Sequence, residues 1–426
     1  MVIHTIKPGD SVYSLSRKYG VPVQKIITDN NLEDTQRLMA GQALIIMTDN
    51  VRHTVVSGDS LYRIAQTYGT TVNRIMTANP EITNPARITP GQVINVPMGS
   101  GKLGTIDVNG YAFPTIRSES LNNTLPYLTY LSMFSYQVRP DGSLIPIPDD
   151  TQVQAARAAR VAPLMVITNI KEGASFDTDL AHTILTTPEV QNRLLDNVVA
   201  TLKEKNYYGL DIDFEYIRQT DRENYNAFLR KAVEKLRPMG YTVTTALAPK
   251  TSGTQRGLLY EAHDYAVHGQ LVDHVILMTY EWGYTYGPAQ AVAPLDQVER
   301  VIQYAVSVIP SKKILLGMPN YGYDWTLPFV QGSAARAISN QAAINLAIRV
   351  GAQIQFDPKA QAPHFNYYDS QGKRHEVWFD DVRSIEARLK LVDQYDLGGV
   401  SYWNINTFFK QNWLVLQSMY NIRKVL

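Results

Sequence analysis

The stretch Gly209-Leu210-Asp211-Ile212-Asp213-Phe214-Glu215-Tyr216 alternates acidic and apolar residues. On a β-strand successive side chains point to opposite faces, so Asp211, Asp213 and Glu215 share one face. Same-face neighbours stand roughly 7 Å apart. Three carboxylates that close cannot all stay ionised away from water, so their pKa values are driven apart. A general acid working near neutral pH needs such a split. A solvent-facing polar stripe is the plain alternative, but acids are poor strand formers and like charges on one face repel. The stretch reads as a strand that carries chemistry.

Around it the chain is patterned as a parallel α/β fold, with apolar strands alternating with amphipathic helices. Eight strands are expected: 106–113, 128–136, 164–170, 209–216, 242–248, 274–280, 313–319 and 398–403. Thr187-Pro188 opens a helix with Val190, Leu194, Val198 and Leu202 on one face. A capping box from Thr220 to Glu223 is expected to open another, which buries Tyr225, Phe228, Leu229, Ala232, Val233 and Leu236 and stops at Pro238 and Gly240. Eight such units in about 320 residues fit a (β/α)8 TIM barrel over 103–426. A doubly wound open sheet fits less well, since no Gly-rich phosphate turn follows the first strand. An α+β insertion is expected near 327–380, ending in a hairpin over 365–379 that either walls the cleft or is a structural flap.

Composition narrows the partners. The 426 residues carry a net charge of +1, which argues against nucleic acid or an anionic membrane. With no cysteine, thiol catalysis and thiolate metal sites are excluded. His263, His268, His364 and His375 lack metal-ligand spacing, and no cofactor or metal is expected. No apolar run of about 18 residues could cross a bilayer, and the N-terminus does not read as a signal peptide. A monomer is expected.

The first hundred residues repeat with a period of about 49. His4-Thr5-Ile6-Lys7-Pro8-Gly9-Asp10-Ser11-Val12-Tyr13 returns as His53-Thr54-Val55-Val56-Ser57-Gly58-Asp59-Ser60-Leu61-Tyr62. Asn30 matches Asn79, and Gly41-Gln42 matches Gly91-Gln92. Each unit reads as strand, capped helix, second helix and closing strand. Both resemble the LysM module, a βααβ domain that binds chains containing N-acetylglucosamine; they span 2–48 and 51–98, with a short linker at 98–102. The resemblance places glycan binding at Gly9, Asp10, Ser11 and Asn30, and at Gly58, Asp59, Ser60 and Asn79.

The barrel region resembles family 18 glycoside hydrolases, whose fourth strand reads Asp-x-x-Asp-x-Asp-x-Glu. Asp211, Asp213 and Glu215 match, while Tyr208 stands at the first acid position and is expected to alter the hydrogen bonding beneath the triad. Met278-Thr279-Tyr280-Glu281 resembles the family's Met-x-Tyr-Asp, and Trp403 its last-strand tryptophan. The family's Ser-x-Gly-Gly on strand three is replaced by Thr168-Asn169-Ile170. By resemblance Glu215 is the acid and base, Asp213 holds the substrate acetamido group, Asp211 tunes it, and Tyr280 bonds the acetamido oxygen. Trp403 forms the floor, with Met278, Glu281, Tyr111 and Asn320 as further substrate-binding residues.

Two such modules on this barrel resemble the spore cortex-lytic N-acetylglucosaminidases of spore-forming bacteria. That implies a spore location and cortex peptidoglycan as substrate. Muramic lactam has no 2-acetamido group to assist cleavage, so N-acetylglucosamine is expected at the cleaved position. A chitinase would share every catalytic residue, and a non-catalytic lectin of the same fold would lack Glu215. On this reading the modules anchor a barrel able to cleave soluble fragments without residues 1–98.

Overall fold

The computed structural model describes residues 1–33, 37–99 and 101–426, so Ser100 of the expected linker lies outside the described residues. The eight central strands are Gly104–Ala112, Tyr130–Val138, Ala162–Thr168, Gly209–Asp213, Thr242–Leu247, His274–Leu277, Ile314–Pro319 and Gly399–Trp403. Each pairs in parallel with the next, and the first pairs with both the second and the eighth, which closes the barrel. Closure leaves no free edge and puts alternate side chains inside. Asp211 points inward, where it meets strands one, two and five through Tyr111, Ser132 and Thr244. Phe214 points outward, stacked on Tyr225 and Phe228 of the helix Arg222–Leu236.

Two strands end about three residues earlier than the sequence pattern suggests. Strand four stops at Asp213 and strand six at Leu277. Tyr216 and Glu281 adopt left-handed backbone (φ 55° and 67°), a conformation that ladder pairing cannot continue. Glu215, Tyr280 and Glu281 therefore stand on turns just above the barrel rim.

The expected capping box is absent. A tight turn over Gln219–Asp221 precedes the helix, so Thr220 lies inside that turn and cannot cap it. Asp221 is instead held 2.7 Å from His182 Nδ1 and accepts from Asn224. The apolar face of the helix is buried as expected.

The insertion also starts earlier, at Gly322. It is an antiparallel sheet of Arg336–Ile338, Gly322–Leu327, Arg374–Trp378, Ala362–Tyr368 and Gln355–Asp357, in that order, with the helix Asn340–Val350. Tyr321 and Tyr323 at its entry reach the cleft through Glu281, so the insertion walls one side.

Each N-terminal module is a two-stranded antiparallel sheet with two helices. Val2–Thr5 pairs with Ala43–Ile46 in the first, and Asn50–Thr54 with Val93–Pro97 in the second. The first module is built into the barrel's outer layer. Its Ala43 and Ile45 belong to the barrel's own hydrophobic core. Gln411 donates to Asn30 (2.6 Å), Ile354 N–H to Ala40 (3.1 Å) and Arg383 to Gly41 (3.1 Å). A Cβ on Gly41 would sit 1.8 Å from the Ile354 carbonyl oxygen, so only glycine permits this approach. Removing residues 1–98 would uncover the part of that core which Ala43 and Ile45 cover.

Arg388 is buried at the outer wall, paired with Asp380 and donating to the Ala293 carbonyl (3.0 Å). Removing one member of such a pair strands the other charge in a dry site. Arg388→Ala is expected to lower unfolding free energy by about 3–5 kcal/mol, measured by urea denaturation. A loss below about 1 kcal/mol, the scale of surface pairs, would show that water reaches Asp380.

Candidate active site

The barrel mouth holds a cleft of about 550 Å³ whose lining includes Asp213, Glu215, Met278, Tyr280, Glu281 and Trp403. Asp211 lies beneath it, fully buried, and accepts hydrogen bonds from Tyr111 (2.6 Å), Thr244 (2.8 Å) and Ser132 (3.4 Å). Burial pushes its carboxyl above the ordinary range, and the three hydroxyls pull it back. Tyr208 plays no part in this network. Its ring packs near Tyr130 among residues at the opposite end of the barrel, which corrects the expectation that it modulates the triad.

Asp213 is buried, and its Oδ1 has no hydrogen-bond partner among the described residues. Burial first, then the charges of Glu215 and Asp211, push its carboxyl well above the ordinary range. Glu215 is pushed up to about 7 by burial and then by the charge of Glu281. Asp213 and Glu215 thus titrate as a pair that retains a proton near neutrality.

Two positioning residues hold the Glu215 backbone. Asn169 Oδ1 accepts from the Glu215 N–H (2.9 Å), while its Nδ2 donates to the Glu215 carbonyl (2.8 Å). His263 is fixed between the Ala248 N–H and the Phe214 carbonyl, and burial lowers its pKa to about 4, so it is neutral. The Ala248 N–H can donate only to a bare Nδ1, so the proton sits on Nε2 and points at Phe214. Neither role was read from the sequence. Asn169 occupies the segment where the family pattern departs, and that departure was its one signal.

The other predicted residues divide. Burial and the nearby acids keep Tyr280 a phenol, able to donate. Trp403 lines the cleft, edge-on to Phe134 (4.8 Å), Tyr111 (5.5 Å) and Phe113 (5.7 Å). Glu281 accepts from Tyr321 and Tyr323. Tyr111 lines the cleft with its ring, but its hydroxyl is committed to Asp211, so it supports the triad. Asn320 donates to the Asn404 and Thr407 carbonyls and so holds the loop after Trp403 (3.0 and 2.8 Å). Phe176, Leu259 and Tyr260 also line the cleft, from loops whose folding no strand pattern foretells.

In the modules, Gly9 and Gly58 sit in exposed turns at φ 91°. Asp10 Oδ2 accepts from the Lys7 N–H and faces His4; Asp59 repeats this with Val56 and His53. Ser11 and Ser60 cap the following helices. Asn30 and Asn79 are a correction. Both are buried, and each bonds the preceding helix and both backbone groups of one residue in the closing strand, Ile45 or Asn95. Both amide hydrogens of each are used within the protein, and Asn30 Oδ1 accepts from Gln411 as well as Ile45.

A closed parallel barrel with paired carboxylates over an aromatic cleft at its strand ends has the build of a barrel glycoside hydrolase. The chain belongs to the glycosyl hydrolases family 18: that family model matches residues 128–407, and the LysM domain model matches 4–46 and 53–97. It is 42% identical over 430 residues to the cortical fragment-lytic enzyme of Bacillus cereus, covering 99% of both chains. It is 35% identical over 427 residues to the putative sporulation-specific glycosylase YdhD of Bacillus subtilis, covering 100% of each. The crystal structure of the Bacillus megaterium spore cortex-lytic enzyme SleL matches with a TM-score of 0.91 at 40% identity, covering 100% of this chain and 99% of that one.

Two measurements test this geometry. A general acid must be protonated to donate, so if Glu215 is that acid, kcat/KM for glycan hydrolysis is expected to fall as pH rises through its pKa of about 7. Glu281→Gln removes a negative neighbour, which lowers that pKa and moves the fall to more acidic pH. An unmoved limb would detach Glu281 from Glu215. Asn79→Ala should destabilise the second module by about 1–3 kcal/mol, read as faster amide exchange across residues 53–97. Unchanged exchange with weaker glycan binding would restore Asn79 as a ligand.

Proposed function

We propose that this chain is an N-acetylglucosaminidase that cleaves spore cortex peptidoglycan or its fragments by retaining, substrate-assisted catalysis. The observation that carries the reading is Asp213, buried with Oδ1 unpartnered beside a Glu215 that titrates near 7. A buried acceptor without a donor is costly unless the substrate brings one, and an acetamido N–H is such a donor.

The acetamido oxygen attacks the anomeric carbon as the glycosidic bond breaks, and Glu215 gives its proton to the departing oxygen. This forms an oxazolinium ion, whose positive charge Asp213 stabilises as Asp211 supports it from below. Tyr280 donates to the acetamido oxygen and aligns it for attack. Water then adds to the anomeric carbon, Glu215 takes its proton, and the ring opens back to the acetamide. Two inversions give net retention with no protein nucleophile. Trp403 packs against the apolar face of the sugar.

The mechanism requires a 2-acetamido group on the cleaved sugar. Muramic lactam lacks one and is excluded there, whereas N-acetylglucosamine carries one; the likeness to cortical fragment-lytic proteins favours it as the cleaved sugar. The similarity to cortical fragment-lytic and spore cortex-lytic proteins supports cortex peptidoglycan as the polymer and the spore as its location. The two LysM modules support binding to the same class of glycan.

Glu215→Gln is expected to cut turnover by at least about a hundredfold while the full chain still binds cortex glycan. Mass spectrometry of the wild-type products should show N-acetylglucosamine at the new reducing end. Near-full activity of the variant would remove Glu215 from the chemistry, and N-acetylmuramic acid at the reducing end would overturn the N-acetylglucosaminidase assignment.

A further inference from the structure

Three hollows adjoin, beginning at the cleft. The cleft shares Trp403 and Glu281 with a second hollow of about 450 Å³, lined also by Asn320, Tyr321 and Ser339. That hollow shares Thr407 with a third, of about 820 Å³, where the barrel meets the first module. Arg117 and the helix Ser118–Thr124 form one wall of the third hollow, and Asn31 and Leu32 of the module form the other.

We propose that this junction groove holds the same glycan strand that is being cut, several sugars from the scissile bond. The first module would then be a fixed distal subsite of the catalytic cleft. The proposal rests on the glycan substrate argued above and concerns where else that glycan is held.

Three observations carry it. The lining suits a sugar chain: Asn122 and Asn123 are exposed amides without a partner among the described residues. Beside them, the half-buried rings of Tyr127 and Phe408 offer apolar surface for a pyranose face. The groove also has a fixed shape, because Gln411, Ile354 and Arg383 tie the module to the barrel, and Gln341 donates to the Asn31 carbonyl. A preformed groove does not have to order two bodies as it binds. Finally, the two modules differ. Among the described residues no hydrogen bond joins the second module to the barrel, so only the first can hold a strand in register with the catalytic residues.

The test uses the full chain with Asn123→Trp, which fills the groove, and Arg117→Glu, which reverses a charge on its wall. Both residues are exposed, so the fold should be kept. The substrates are cortex tetrasaccharides, which reach only the cleft, and undigested cortex glycan strands, which reach the groove. Each variant is expected to lose about tenfold in kcat/KM on long strands while staying within about twofold of the parent on tetrasaccharides. Long-strand values within about twofold of the parent, or equal losses on both substrates, would overturn the distal subsite and leave the proposed function standing. A parent chain that cleaves neither substrate would instead overturn the substrate reading on which the subsite rests.

Discussion

The site depends on a carboxylate kept inside a closed barrel. Asp211 has no access to water and is tolerated because three hydroxyls, from strands one, two and five, are aimed at it. Those strands meet around it only because the sheet is closed. Barrel closure and acid chemistry are therefore one constraint. A sheet that opened would lose the hydroxyl cage, and the charge beneath Asp213 would become an unpaired buried ion. Asp213 in turn takes its perturbed titration from burial and from the acids on either side of it. Glu215, above the rim, lies where the field of these acids meets solvent.

Holding Glu215 falls to the backbone on either side of it. The strand has ended at Asp213, so ladder bonds no longer fix the chain. Asn169 from just after strand three and His263 from the loop after strand five replace them, gripping Glu215 and Phe214 through main-chain groups. A neutral His263 suits this task, since burial in a dry wall excludes the charged form.

The alternation of acids and the eight apolar runs were legible because both follow from the twofold period of a strand. Local chemistry that depends on distant partners was not. Asn169 and His263 act on a segment 46 or more residues away, and no spacing rule links them. Asn30 and Asn79 were misread for a related reason. A buried amide satisfying a backbone and a polar residue awaiting a ligand look the same in sequence, and only the partner atoms distinguish them. Tyr208 was overweighted because the family pattern sets four acids in one line, whereas the barrel turns that position to its far end. The early start of the insertion at Gly322 was hidden because its first strand continues the apolar character of strand seven.

The bond between Gln411 and Asn30 joins residues 381 apart in the chain. During synthesis domains usually fold as they emerge, the N-terminal ones first. Here the first module can form its own strands and helices early, yet its outer face has no partner until the last helix, Lys410–Met419, has left the ribosome. Contacts of such long separation also carry a high entropic cost before they form. A nascent chain thus exposes an apolar patch around Ala43 and Ile45 for nearly the whole of translation. A truncated product would keep it exposed, while a finished chain conceals it.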